Sequence, residues 1–161
     1  MIDLDTTKLE WQLTRMLQAC DTLAQDAQTI TPEVIGHMQI AAQVNIYLTA
    51  PGAYQRTGDL LRGLNARATA TRNTATITVL NDATDEDGRY YAGYVERGRN
   101  GPGDAALQQL AAQRPDPSQP LTLGRSGVDW TVPAPILIGA QVYALTRLQQ
   151  LFAQKIARAL R

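Results

Sequence analysis

The sequence has little of what most catalytic and metal sites are made from. Among 161 residues there is one cysteine (Cys20), one histidine (His37) and one phenylalanine (Phe152). A lone cysteine closes no internal disulfide, and one cysteine with one distant histidine is too few soft ligands for a structural zinc site. No metal or other cofactor is expected, and Cys20, on the apolar side of a helical pattern, reads as core packing. With only His37 available as a base, a Ser-His-Asp arrangement is hard to build, and His37 reads as a surface or boundary residue. Neither a nucleophile elbow nor a phosphate-binding glycine loop ending in lysine and serine or threonine occurs. Long apolar runs are missing as well. Residues 134–140 form the longest, broken by Pro135 and Gly139, against the roughly 20 residues that a membrane helix needs, so no membrane partner is expected. The start of the chain carries Asp3 and Asp5 in place of a basic stretch and an apolar core, which argues against a secretory signal and for synthesis in a cytoplasm.

Net charge is absent too, with 15 basic and 15 acidic side chains. A chain whose main work is coating DNA normally carries a concentrated basic footprint, so that class is disfavoured. The charges are unevenly spread: residues 1–50 hold two basic and six acidic side chains, residues 101–161 six basic and three acidic. Copies that stack acidic on basic faces are one expectation, and two separately solvated surfaces are the other. Length and a hydrophobic share of 44% suit a single folded domain over residues 1–161.

Periodicity predicts an α+β fold. Leu9, Leu13, Met16, Leu17, Cys20, Leu23, Ala24 and Ala27 recur at helical steps, with Thr7 and Glu10 spaced as a capping box. A second helix is predicted from Thr31 as N-cap with Pro32 at its first position, its apolar stripe being Val34, Met38, Ala41, Asn45 and Leu48. Residues 6–50 thus read as a helical hairpin. Alternation at Leu60, Leu64, Ala66, Ala68 and Ala70, then at Ala75, Ile77 and Val79, predicts a β-hairpin over residues 57–81 turning at Thr71-Arg72-Asn73. The acidic stretch 81–88 reads as a solvated loop, because its carboxylates lack the alternating spacing and terminal glutamate of a calcium loop. Tyr91 with Val95, and Tyr90 with Tyr94, lie one helical turn apart before Gly98, which predicts a short helix with a glycine C-cap. These tyrosines read as packing on the sheet and not as a base-stacking platform. Residues 99–132 form an extended excursion with one short helix near 104–113 and a second hairpin, 121–123 with 128–132, a candidate arm toward a neighbour. From 135–160 a long amphipathic helix, with basic residues in its last turns, packs on the small antiparallel sheet.

Three segments stand out in order: Thr57-Gly58-Asp59-Leu60-Leu61-Arg62-Gly63-Leu64, Tyr91-Ala92-Gly93-Tyr94-Val95-Glu96-Arg97-Gly98-Arg99, and Pro133-Ala134-Pro135-Ile136-Leu137-Ile138-Gly139-Ala140. Together, over roughly residues 50–145, they resemble the signature of the tail-completion, or head-to-tail joining (neck), proteins of long-tailed double-stranded DNA bacteriophages. The matching positions are Thr57, Gly58, Leu60, Tyr91, Ala92, Val95, Glu96, Gly98, Pro133, Pro135 and Ala140. Two positions depart: Gly63 stands where the family usually carries serine, and Ile136 where it usually carries phenylalanine. The resemblance implies a structural virion protein, without catalytic or cofactor-binding residues. It implies a homo-oligomeric ring joining the portal or its adaptor to the tail tube or tail terminator around the DNA channel. A minor tail or capsid component elsewhere in the virion is the alternative. Asp82, Asp85, Asp87, Arg99, Leu107, Leu110 and Arg125 are the expected assembly contacts. From a different class, a small cytoplasmic enzyme would use Glu96, flanked by Arg89, Arg97 and Arg99; a structural ion pair is the simpler reading of that carboxylate.

Overall fold

Apolar residues at helical steps make the first half of the chain helical, but the joint falls earlier than the proline suggests. A computed structural model describes residues 6–49, 57–71, 74–98, 101–123 and 132–160. Helix α1 spans Thr7–Asp21 and α2 Leu23–Ala42, meeting at Thr22. Pro32 sits inside α2, where a proline ordinarily costs about 3 kcal/mol. Contacts with the last helix offset that cost: Ala27, Ile30 and Val34 are buried, and Lys155 reaches the carboxylate of Asp26 at 2.5 Å. The N-cap of α1 is Thr6 and not Thr7, and the Thr6 hydroxyl donates to the Glu10 carboxylate.

Val34, Met38, Ala41 and Asn45 are buried as their spacing predicts, whereas Leu48 is 76% exposed. A π-helical turn over Gln43–Tyr47, closed by Leu48 N–H donating to the Gln43 carbonyl, explains the difference. The extra residue in that turn rotates Leu48 off the stripe.

The second segment of the chain opens with one helical turn. Gly58 has φ +82° and caps α3, Asp59–Arg62. Leu60 and Leu64, both buried, are thus one helical turn apart, and the strand begins only at Leu64. Strands β1 (Leu64–Ala70) and β2 (Ala75–Asn81) pair antiparallel from Leu64↔Asn81 to Ala70↔Ala75. The tip residues 72–73 lie outside the described residues. Helix α4 (Ala92–Arg97) follows the acidic loop and ends at Gly98, whose φ of +67° suits glycine.

Helix α5, Asp104–Ala112, lies against α6, Leu137–Ala159, with Leu107 and Ala111 fully buried. The described part of the excursion is therefore docked on its own chain. Of the second hairpin, 124–131 lie outside the described residues, and 121–123 have no strand partner among those described. The α+β expectation holds: α6 is the long C-terminal helix, in contact with β2, and α2 lies along it and against β1. The pairs Asp26–Lys155, Glu33–Arg147 and His37–Tyr143 step in opposite directions, so α2 and α6 run antiparallel. Those ion pairs join two of the six acidic side chains of the first third to two of the six basic ones of the last third inside one chain. No helix among the described residues is long and apolar enough to cross a membrane.

Candidate functional site

The first four N–H groups of a helix have no partner within it. At the start of α6 the chain supplies Pro133 and Pro135, which carry no N–H, and Ala134, whose N–H donates to the Val95 carbonyl at 2.9 Å. The next three amides all donate to one carboxylate. Ile136 and Leu137 N–H reach Glu96 Oε2 at 2.9 Å each, and Ile138 N–H reaches Oε1 at 2.7 Å. Glu96, 5% exposed on α4, is thus an N-cap delivered from another helix. Burial pushes its carboxyl above the ordinary value, opposed by the three amides.

Among the described residues Glu96 makes no ion pair with the arginines expected beside it. Arg97 turns outward and grips Asp104 with two hydrogen bonds, at 2.7 and 3.0 Å, fixing the path into α5. Arg89 pairs with Asp87 at 3.5 Å. Arg99 and Arg125 lie outside the described residues.

All three singled-out segments contribute to one apolar cluster: Leu60 from the first, Ala92 and Val95 from the second, Ile136 and Ala140 from the third. Tyr91 packs against it, while Tyr90 and Tyr94 are exposed and do not pack on the sheet as expected. Thr57 stays at the surface, its hydroxyl bonded to Asp59 and its carbonyl accepting from Arg62 at 3.1 Å. Gly63 departs from the resembled pattern for a local reason: a Cβ there would meet the Ala83 nitrogen at 2.7 Å and Asn81 Oδ1 at 2.8 Å.

The acidic loop is a turn organised by Asp85, whose Oδ1 accepts from the Asp87 and Arg89 amides at 3.0 and 2.8 Å. An open cleft of about 380 Å³ between Asp59, Arg62, Gly63, Asp82 and Thr84 joins this loop to the first segment. No cluster of metal-ligating side chains occurs among the described residues. Of the expected contact residues, Asp82, Asp85, Asp87 and Leu110 are exposed, whereas Leu107 belongs to the core.

A second cleft, about 460 Å³, was not foreseen. Glu33, Tyr143, Arg147 and the 116–118 turn line it. Glu33 accepts from Arg147 at 2.9 Å and from the Tyr143 hydroxyl at 3.3 Å; the Arg147 hydrogen bond holds its carboxyl below the usual range. His37 stacks on Tyr143 at 4.6 Å between ring centroids, is 4% exposed, and burial pushes its imidazole below the ordinary value. The surface or boundary role expected of His37 is thereby corrected to a buried one. The available signal was paired spacing, with Glu33 and His37 one turn apart on α2 and Tyr143 and Arg147 one turn apart on α6. This arrangement clamps two helices.

Helix α1 departs most from expectation. It has no buried residue, Cys20 is only half-buried, and Leu9, Leu13 and Leu17 are exposed. Its contacts are with the far end of α6, where the Gln12 amide donates to the Leu160 carbonyl and Arg15 to the Arg158 carbonyl, at 3.4 and 3.3 Å. Both ends of α6 are therefore satisfied by side chains from elsewhere in the chain. Comparison with protein-family models, curated proteins and solved structures finds no match to this chain.

Proposed function

We propose that this chain is a structural component of a phage neck, part of a ring between the portal or adaptor and the tail. The observation that carries the reading is the joint packing of the three resembling segments around the start of α6, closed by Glu96. In this reading the signature residues build a rigid scaffold, and the uncovered apolar side of α1 is surface left for assembly. An enzyme using Glu96 is disfavoured, because both carboxylate oxygens are occupied by backbone amides and neither described cleft includes it.

The test is made in the virus. If the reading holds, the protein is found in purified virions, and particles lacking it accumulate as filled heads and separate tails. Its absence from virions would sink the proposal. Its presence at another position, with joined particles formed without it, would move the chain to a minor tail or capsid role.

A further inference from the structure

Two exposed surfaces at opposite ends of α6 complement one another. Helix α6 has 23 residues and so spans about 34 Å. At its C-terminal end α1 runs past Leu160: Gln12 bonds to that residue, and Leu9 and Trp11, on different faces of α1 near this end, are both about half exposed. Lys8, one turn before Gln12, and Arg158 add positive charge at this end. Arg15 adds another, its guanidinium 4.5 Å over the Trp11 ring, and Glu10, which accepts from Thr6, is the opposing carboxylate described at this end. At the N-terminal end of α6, beside the helix that carries Glu96, Tyr90 and Tyr94 are 69% and 77% exposed. The loop leading into them carries Asp82, Asp85, Glu86 and Asp87 against Arg89, all exposed.

We infer that the α1 end of one copy docks on the tyrosine end of the next. Each surface has apolar or aromatic area with a charged surround, the anatomy of a specific interface, and among the described residues the α1 end is net positive and the tyrosine end net negative. The occupant is a second copy because both halves of the match lie on one chain, and a net charge of zero sets up no repulsion between copies. Since the two patches differ, the contact is head-to-tail, and it closes into a ring when the rotation between copies allows. Ring closure rests on the neck reading; the contact rests on the two ends alone.

The test is the native mass of the full chain by sedimentation velocity, with helical content checked for each variant. The wild type should exceed its 17.6 kDa monomer mass as concentration rises. Raising salt from about 0.05 to about 0.5 M should weaken association about tenfold or more. Lys8→Glu with Arg158→Glu should give a folded monomer, and so should Glu86→Lys with Asp87→Lys. An equal mixture of the two variants should associate again, because each keeps one native end. A wild type that stays monomeric at low salt overturns the inference. So does an oligomer unchanged by both reversals, and that result leaves the neck reading standing, since its failure shows separately as absence from virions.

Discussion

Glu96 puts a carboxylate into the apolar core, and what keeps it there is the supply of amides that α6 cannot use itself. Replacing it with alanine leaves three N–H groups, two of them buried, unpartnered, so Glu96→Ala should cost about 3 kcal/mol or more in urea unfolding. A loss below about 1 kcal/mol would show that water caps α6 equally well. The residue was singled out from the sequence, but its role was not legible there, because its partners lie 40 to 42 positions away. Only the pair of prolines before α6, which push the free amides to 136–138, hinted at the need for a cap. His37 gives a second residue-scale prediction. Burial lowers its folded value below the ordinary 6.5 or so, so the unfolded chain takes up the proton first. The stability that His37 contributes is complete above about pH 6.5 and is lost as pH falls through the lower folded value. Glu96, with a raised value, slopes the other way, losing its contribution as pH rises above the ordinary carboxylate range. Comparing wild type with His37→Phe, which keeps a ring on Tyr143, isolates the histidine: the variant should lose less stability between neutral and mildly acidic pH. Parallel curves would contradict the assignment. Arg114 and Tyr143 are the ionisable groups that face His37, and the Gln119 and Pro117 carbonyls lie beside it.

At the scale of elements, periodicity located the described helices and strands except α3, which it read as strand, and the π-helical turn, and it misplaced several ends. Leu60 and Leu64 fit both alternation and a helical turn, and a spacing of four cannot distinguish the two. The π-helical turn before Leu48 and the passage of α2 through Pro32 depend on tertiary contacts that no local pattern carries. The stripe on α1 was visible but its fate was not, since a stripe predicts a partner without saying whether that partner is in the same chain. Helix α5 shows the converse. Leu107 and Leu110 looked alike as contacts, yet Leu107 is fully buried and Leu110 is 41% exposed. Leu107→Ala should therefore cost about 2 to 5 kcal/mol and Leu110→Ala about 0.5 or less, read from urea midpoints. Equal losses would mean that α5 is not docked on α6. Deleting 103–116 would likewise remove Leu107 and Ala111 from the core, so lost assembly after that deletion would report a damaged fold and not a missing arm.

For the whole molecule, the parts fit one account: a scaffold organised around α6, capped at both ends by distant side chains, with α1 and the two tyrosines left uncovered. Charge at this scale was legible only in part. The contrast between the first and last thirds is real in sequence, but Asp26–Lys155 and Glu33–Arg147 close part of it within the chain. The polarity left for a partner comes instead from the 82–87 loop and the α1 end. The central claim is that this scaffold is built to assemble, and the most direct test is the native mass of the full chain, alone and mixed with the portal complex of the same particle, by light scattering after size exclusion. The account predicts a homo-oligomer, or a chain that elutes with the portal complex. A chain that stays monomeric alone and elutes apart from the portal complex would contradict it.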